Sequence, residues 1–484
     1  MPADLACRFV CDGTFVGPLV LLDLSAAGFA AAVPPAIVLP EGTVLDSFEL
    51  LVADRPIWTG EAVVVHGSAG RIGGRFTSDV LDLEHLRLGV TLEGRLAIRR
   101  EQALELPPEW RAAVGDLRQL LEDVRFELEE IERAEIHDPL RRSEEEASLF
   151  EGLRANWGAV FIRGVEQLHA MSKGLDPRAA VLGHGYASSM LMPLLAACPM
   201  HRRAYEKPLG YAGDYRMMEL YFAHGIGDGL FGRFLYSVTK QYTLVRAVIA
   251  REVLLRNAVR AAAEAEGEGP VRVLVLAAGP AMELRRFLEE TGPLKRPLEL
   301  ILLDQDRGAH ESAHRHLTRI LLERHDGMLP VSVRCLHFSV RQLLKPQTPE
   351  DERVVQETLA GLDLVYSGGL YDYLPEPVAA RLTQVTYSRL RPGGRLLHGN
   401  LIEAPDTTWV MEYVLGWPLI YRTDETMLRL GAGLEPVPAS VGISRDDTGH
   451  SIFLDVTKPV LTAQPEPPRL HGQDRAPEDG LLAR

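Results

Sequence analysis

Cysteines and long apolar runs are scarce in this sequence. Four cysteines in 484 residues are too few and too scattered for a disulfide framework. Cys7 and Cys11 have no further Cys or His pair at zinc-finger spacing, so the alternation of a short strand explains them better than a metal does. No apolar run approaches the length of about eighteen residues that a transmembrane helix needs, so we expect no membrane span.

Basic residues are also fewer than acidic ones, which limits the possible partners. The chain carries 52 Lys and Arg against 67 Asp and Glu, a net charge of −15. This balance argues against nucleic acid as a partner, because phosphate binding needs a basic surface. The first residues, "MPADLACRFVCDG", lack a basic segment followed by an apolar one, so we expect no secretory signal and a cytoplasmic protein.

The length of the chain and its patterning predict a multidomain protein. Residues 1–95 contain short β-branched runs between Gly and Pro signals ("GPLVLLDLS", "SFELLVA", "EAVVVHG", "RIGGRF"), which favours a small β-barrel or sandwich. Residues 96–263 change to helical spacing, as in Leu117, Leu121, Val124 and Leu128, and are predicted to form a helical linker and lid region. The Pro-rich, charged residues 461–484 are predicted to be a disordered tail.

Strand-like and helix-like runs alternate over residues 264–460. "VRVLVLAAG", "LELILLD", "LDLVYSGGL" and "GRLLHGNL" are each followed by an amphipathic segment. Buried parallel strands alternating with helices are typical of a doubly wound α/β sheet. The last two runs, "EPVPASVGIS" and "HSIFLDVTK", lie close together and predict an antiparallel hairpin at the sheet edge.

The first turn of this α/β region carries features of a nucleotide site. Gly279 in "VLVLAAGPAMEL" is flanked by small residues, although alanines stand at the outer positions of a G-x-G-x-x-G-like loop. Asp304 ends the next strand, "ILLDQD", where a carboxylate can accept both hydroxyls of a ribose. Asp306 is a second candidate for the ribose, but is better explained as the N-cap of the following helix.

Together these motifs resemble class I S-adenosylmethionine-dependent methyltransferases, whose fold has a seven-stranded Rossmann-like sheet. The resemblance implies S-adenosyl-L-methionine as the cofactor and Glu283 as a contact for its amino group, since Val275 stands where many members carry an acid. The cofactor-binding residues that it implies are Ala277, Ala278, Gly279, Ala281, Glu283, Asp304, Gln305, Ser339, Ser367 and Gly368.

The acceptor site is predicted from the segments after the fourth and fifth strands. A carboxylate acceptor needs no base because it is already ionised at neutral pH, so Tyr371 and Asn400 are predicted to position it and Arg422 to neutralise it. Trp417 and Tyr421, in the aromatic stretch "MEYVLGWPLIYR", either line an acyl pocket or pack in the core. His310, His314 and His316 are interpreted as an exposed helix face, so no metal is predicted.

A narrower resemblance joins "EKPLGYAGDYRMMELYF", "VLAAGPAMEL", "GGLYDYLPEPVAARL" and "MEYVLGWPLIYRT". This combination is similar to bacterial extracellular-factor 3-hydroxypalmitate methyl ester synthases. It implies a cytoplasmic enzyme that O-methylates a small-molecule carboxylate, such as a 3-hydroxy fatty acid, to give a methyl ester quorum signal. A non-catalytic regulatory protein that senses S-adenosylmethionine or cyclic di-GMP stays an open alternative, as does a homodimer.

The stretch "KPLGYAGDYRMMELY", residues 207–221, has two interpretations. It is either a plain turn in which Asp214 caps the next helix, or a lid over the methyltransferase pocket. On the lid hypothesis Gly210 and Gly213 turn the backbone sharply, Tyr211 covers the acceptor, and Asp214 caps the helix or holds a polar group below.

The N-terminal module has a resemblance of its own. "LLDLSAAGFAA" is similar to the D-x-S-x-x-G element of PilZ domains, through Asp23, Ser25 and Gly28. Those domains use an R-x-x-x-R segment upstream to hold cyclic di-GMP, whereas this sequence has Arg8 with no arginine four residues away. We therefore expect a PilZ-like fold that binds cyclic di-GMP weakly or not at all.

Overall fold

The computed structural model describes residues 5–34, 37, 39–52, 55–68, 70–77, 81–83, 103–134 and 139–460. The chain forms two compact units, Met1–Glu122 with Gln167–Pro193, and Asp123–Glu166 with Leu194–Arg484. The domain boundaries predicted near residues 95 and 263 stay predictions. The predicted disordered tail, residues 461–484, lies outside the described residues.

Six antiparallel strands close into a barrel in the first unit, in the order β1-β2-β3-β6-β5-β4. The barrel predicted from the short β-branched runs is thus confirmed. Its strands are β1 Leu5–Cys11, β2 Thr14–Ser25, β3 Gly28–Ala32, β4 Val44–Val52, β5 Arg55–Ser68 and β6 Arg71–Phe76. Alternate residues of β1 point inward, so Cys7 and Cys11 are core residues beside Phe9 and Phe48, and burial raises the pKa of the Cys7 thiol to about 12.

Helices belong to both units. The helical spacing predicted over Leu117–Leu128 is part of a single helix, α1, in which Leu117, Leu121, Val124 and Leu128 are buried. The helices are α1 Pro108–Arg133, α2 Pro139–Leu153, α3 Ala159–Ser172, α4 Pro177–Leu195, α5 Pro199–Glu206, α6 Tyr215–Phe222, α7 Gly229–Thr239, α8 Thr243–Glu264, α9 Met282–Glu290, α10 Arg307–His325, α11 Val340–Leu344, α12 Pro349–Arg353, α13 Glu376–Arg389, α14 Pro405–Trp409 and α15 Asp424–Leu430. Among the described residues, no helix combines the length and the apolar character needed to cross a bilayer.

The second unit contains a seven-stranded sheet in the order β12-β13-β11-β10-β7-β8-β9. Its strands are β7 Val271–Leu276, β8 Leu298–Asp304, β9 Val331–His337, β10 Leu362–Ser367, β11 Leu390–Leu401, β12 Ser440–Arg445 and β13 Ser451–Thr457. Strands β7 to β11 pair in parallel, and β13 pairs antiparallel with both β11 and β12. This Rossmann-like sheet with an antiparallel edge hairpin confirms the predicted architecture.

Apolar residues cover both faces of the sheet, as expected for buried parallel strands. One cluster packs β7 and β8 against α8, α9 and α10, and a second packs β10, β11 and β13 against α11, α13 and α15. The order of strands reverses between β7 and β10, and the carboxyl ends of strands at such a switch point open a crevice where ligands bind in open α/β sheets.

Candidate active site

A cavity of about 640 Å³ lies at the carboxyl ends of β7, β8 and β10, entirely within the second unit. Its volume is in the range of small-molecule sites. Helix α8 and the α5–α6 corner supply other parts of the wall. The charged side chains that line it are Arg251, Glu252, Glu283, Asp304 and Asp372.

Asp304 sits at the end of β8 and is 7% exposed. Its Oδ2 accepts from the Gly279 N–H and its Oδ1 from the Asp306 N–H, each at 2.9 Å. Burial raises the pKa of this carboxyl, and the two backbone N–H groups oppose the shift. Each carboxylate oxygen keeps a further lone pair, so the group can still accept two hydrogen bonds from a ligand.

The loop after β7 approaches the cavity with an unusual backbone. Ala277, Gly279 and Ala281 all have positive φ, at 49°, 52° and 51°. An atom added at the Cβ position of Gly279 would meet nothing within 4 Å, so this side of the loop is open to a ligand. The alanines that replace the outer glycines therefore adopt the conformation that glycine would have had.

Glu283 follows this loop on the first turn of α9. Its Oε1 accepts from the Tyr366 hydroxyl at 2.7 Å, and burial raises the pKa of its carboxyl. Arg251 of α8 is close enough for its charge to oppose that shift. The carboxylate is thus held at the cavity wall with capacity for a further donor.

Nine of the ten predicted cofactor residues line the cavity. They are Ala277, Ala278, Gly279, Ala281, Glu283, Asp304, Gln305, Ser339 and Gly368. Ser339 is also the N-cap of α11, in a capping box with Gln342. Ser367 is not among the lining residues: it is fully buried, and its hydroxyl lies 3.4 Å from His398 Nδ1.

The structure does not bring the predicted catalytic residues to the cavity. Tyr371 is fully buried, stacks on His398 and hydrogen bonds with Thr383 at 3.0 Å. The Asn400 amide donates to two backbone carbonyls and accepts from Arg422, which also donates to the Tyr371 carbonyl. Because their polar groups satisfy one another in the core, Tyr371, Asn400 and Arg422 act in the fold and not on the acceptor, which corrects the expectation.

The α5–α6 corner combines both interpretations of "KPLGYAGDYRMMELY". Asp214 is fully buried, accepts from the Met217 N–H as N-cap of α6, and forms a bidentate ion pair with Arg203 at 2.7 and 2.6 Å. Tyr211 and Gly213 line the cavity, whereas Asp214 does not. Burial raises the pKa of the Tyr211 phenol, and the Asp304 carboxylate adds to the shift.

An aromatic pair packs against the α5–α6 corner. Trp417 lines the cavity, and its Nε1–H donates to the Tyr373 hydroxyl at 2.9 Å. A Cβ on Gly213 would collide with that hydroxyl and lie 3.0 Å from Trp417, so glycine is required for this close approach. Tyr421, four residues further on, is not among the lining residues.

Residues of the site that the sequence patterns did not single out include Arg251, Glu252 and Tyr373. Arg251 and Glu252 interrupt the apolar face of α8, which was the available signal, since a charge on a buried stripe needs a reason. Asp372 also lines the cavity. It is 2% exposed, and burial raises its pKa to about 6.

The residues of the D-x-S-x-x-G element occupy the β2–β3 turn of the barrel. The Ser25 hydroxyl accepts from the Gly28 N–H at 3.1 Å, and Asp23 accepts from the Leu24 N–H at 2.9 Å. Arg8 on β1 is ion-paired with Glu49 on the neighbouring strand β4. Its guanidinium is thus already neutralised by a carboxylate.

The interpretation of the α10 histidines as an exposed face is wrong for His310, which is buried, whereas His314 is exposed. His310 Nε2 lies 3.1 Å from the Asp304 carbonyl oxygen, and His316 Nδ1 lies 2.8 Å from that of Ser312. Within the described part of the chain, no group of three His, Cys, Asp or Glu side chains is arranged to hold a metal ion.

No protein-family model and no curated protein matches the sequence. Among solved structures, the chain is similar to a "possible exported protein" from Bordetella parapertussis, with 17% identity, a TM-score of 0.39, and coverage of 67% of this chain and 100% of that one.

Two methyltransferase structures are also similar to the chain. Magnesium protoporphyrin IX methyltransferase from Synechocystis PCC 6803, solved with bound S-adenosylhomocysteine, shares 11% identity at a TM-score of 0.35, over 53% of this chain and 97% of that one. N-methyltransferase NodS from Bradyrhizobium japonicum WM9 shares 14% identity at a TM-score of 0.28, over 43% and 96%. Likenesses this distant do not transfer an activity.

Proposed function

We propose that the second unit is an S-adenosyl-L-methionine-dependent methyltransferase. The observation that carries this proposal is the buried Asp304 carboxylate, which shares one cavity with the open Gly279 loop at the switch point of a seven-stranded sheet. Two carboxylate oxygens with spare lone pairs fit the two hydroxyls of a ribose. Glu283, on the same wall, fits the ammonium of the methionine part.

Other residues of the cavity would exclude water and align the two reactants. When bound, the cofactor would supply an electrophilic methyl group, whose carbon would form a bond to the acceptor atom as its bond to sulfur breaks and the neutral thioether S-adenosylhomocysteine leaves. Tyr211 and Gly213 of the α5–α6 corner cover the cavity and exclude water from it. Asp304 and the loop fix the position of the nucleoside, so the acceptor has to be aligned by the other walls.

We further propose that the acceptor is a carboxylic acid with an apolar chain, such as a 3-hydroxy fatty acid, and that the product is a methyl ester signal. Apolar side chains make up most of the remaining lining of the cavity. They include Met217, Met218, Phe222, Val245, Val248, Val410, Met411, Leu415 and Leu419. An ionised carboxylate is already a nucleophile at neutral pH, so no dedicated base is required.

Binding and transfer can be measured with S-adenosylmethionine labelled on the methyl group. Asp304→Asn should weaken cofactor binding about tenfold to a hundredfold, because hydrogen bonds to a charged acceptor are lost. Asp306→Asn is the matched control, because Asp306 caps α10 and does not line the cavity. Unchanged binding by Asp304→Asn would move the site elsewhere.

Label transfer to 3-hydroxypalmitate separates the enzyme from the regulatory alternative. Tight cofactor binding without transfer to any carboxylic acid would favour a protein that senses S-adenosylmethionine.

For the N-terminal barrel we propose a PilZ-like module, a proposal supported by its six closed strands and by the Asp23–Ser25–Gly28 turn. Cytoplasmic location and a homodimeric state remain expectations.

A further inference from the structure

Among the described residues, the charged groups that line the cavity are four carboxylates and one cation, Arg251. All four carboxylates have protein partners within 3.5 Å, and Asp372 accepts from the Leu401 N–H at 2.7 Å. Asp304 accepts from two backbone N–H groups, Glu283 accepts from Tyr366, and Glu252 lies 3.4 Å from Arg286 and 3.5 Å from Arg256. The single cation has no comparable partner.

Arg251 is 9% exposed, and burial lowers the pKa of its guanidinium. No described carboxylate comes within 4.0 Å of its nitrogens; the hydrogen-bond contact that it makes is with Met218 Sδ, at 4.0 Å. Asp372 and Glu283 act on it at longer range. A buried cation without a close anion is costly unless a ligand supplies the anion.

Two glycines, Gly368 and Gly369, pack against the guanidinium of Arg251. A Cβ on Gly369 would lie 3.0 and 3.1 Å from its two terminal nitrogens, and a Cβ on Gly368 would lie 3.5 Å from its Nε. Both glycines line the cavity. The absence of side chains here lets the guanidinium lie at the cavity wall without crowding, where its planar fork can bind a carboxylate with two parallel hydrogen bonds.

Helix α8 gives the cavity a direction. Leu244, Val248 and Arg251 line the cavity at spacings of four and three residues, so they share one face of the helix. Val245 and, just before the helix, Tyr242 also line it. The nine residues from Arg251 back to Tyr242 correspond to about 13 Å along the helix axis. Beyond Arg251 in this direction the wall is uncharged: burial lowers the pKa of His201 to about 4, so that imidazole is neutral at pH 7.

We propose that Arg251 binds the carboxylate of the methyl acceptor, and that the acceptor's apolar chain runs from there along Val248 and Val245 toward Tyr242. This inference rests on the proposed methyltransferase function, and it deepens that proposal by naming the anchor and the direction of the substrate. It also explains why α8 carries an arginine on an otherwise apolar stripe.

The test compares ligands that differ only in charge. Binding of decanoate and of decan-1-ol to the full chain is measured by calorimetry in the presence of S-adenosylhomocysteine. Arg251→Met should weaken decanoate binding about tenfold to a hundredfold and leave decan-1-ol within twofold. The affinity of Arg251→Lys for decanoate should lie between those of wild type and Arg251→Met. Lysine keeps the positive charge but cannot form the two parallel hydrogen bonds of a planar guanidinium.

Arg246→Met is the matched control, since Arg246 is exposed on the same helix and does not line the cavity. It should leave both affinities unchanged. Equal losses for decanoate and decan-1-ol in Arg251→Met would overturn the inference, because lost packing would then explain them. A loss of S-adenosylhomocysteine affinity with decanoate binding intact would also overturn it, since Arg251 would then serve the cofactor's carboxylate. If Arg251→Met does not fold, the affinities of Arg251→Lys for decanoate and decan-1-ol are compared instead.

Chain direction is tested with Val245→Phe, which places a larger side chain between Arg251 and Tyr242. Binding of hexanoate should stay within twofold of wild type, while binding of palmitate should fall at least tenfold. Equal losses for both acids would contradict the assigned direction.

The two proposals can fail separately. If wild type binds decanoate through Arg251 but transfers no methyl group, only the proposed methyltransferase activity is refuted. If wild type methylates fatty acids and Arg251→Met binds decanoate as tightly as wild type does, only the role of Arg251 as the carboxylate anchor is refuted.

Discussion

Ala277, in the turn after β7, has a φ of +49°, in the left-handed region where an L-residue is strained by about 1–2 kcal/mol. Its side chain is exposed, so replacing it by glycine removes no packing. Ala277→Gly should raise the free energy of unfolding by about 0.5–1 kcal/mol, because relief of strain exceeds the added entropy of the unfolded chain. Ala278→Gly, at the next position with ordinary φ, should lower it by about 1 kcal/mol. Denaturant titrations that give both variants the same sign would contradict the assignment of strain.

Asp372 is a residue whose burial lowers the free energy of unfolding at neutral pH. Burial raises its pKa to about 6 from an ordinary value of 3.8, while the Leu401 N–H, Arg251 and Arg422 oppose the shift. Since the folded pKa is the higher one, the protonated carboxyl stabilises the fold below about pH 4, and this contribution is lost as the pH rises through 6. The stability of Asp372→Asn relative to wild type should therefore increase by up to about 3 kcal/mol between pH 4 and pH 7. Unfolding titrations across that range check it, and a pH-independent difference would contradict it.

At the scale of elements, the α5–α6 corner separates a residue that holds the fold from one that covers the site. Asp214→Asn keeps the N-cap of α6 and loses the charge paired with Arg203, so the free energy of unfolding should fall by about 1–3 kcal/mol with specific activity retained. Tyr211→Ala should do the reverse, with turnover reduced at least tenfold, or more than about 1.4 kcal/mol of transition-state stabilisation. Tyr211→Phe is the control that keeps the ring. If both Asp214→Asn and Tyr211→Ala lose stability and keep activity, the corner is only a turn.

The elements that the sequence predicted best are those with continuous apolar runs, such as β7, β8 and β10, because burial on both faces of a parallel sheet requires them. Strand β9 was harder to find, since it lies at the sheet edge and carries Arg334 among alternating exposed residues. The site was predictable where a residue's role follows from its place at a strand end, as for Asp304. Tyr371 and Asn400 also lie near strand ends, but whether such polar groups face a ligand or satisfy one another depends on contacts across the fold.

At the scale of the whole molecule, the excess of acidic residues bears on the N-terminal barrel. A net charge of −15 repels a dinucleotide with two phosphates at low ionic strength, and within the barrel Arg8 is already paired with Glu49. On the proposed PilZ-like assignment, the arginine pair expected upstream of Asp23 is represented by Arg8 alone. The barrel is therefore expected to differ in its ligand from the domains that it resembles.

Cyclic di-GMP should accordingly bind the full chain more weakly than about 10 μM, and its addition should leave the rate of methyl transfer unchanged. Calorimetry on the intact protein measures the first quantity, and transfer of labelled methyl groups the second. Glu49→Gln, which frees the Arg8 guanidinium, should tighten binding about tenfold at most, because one arginine supplies one charge-assisted contact. A sub-micromolar dissociation constant for wild type would contradict the prediction, since basic groups other than Arg8 would then have to hold the phosphates.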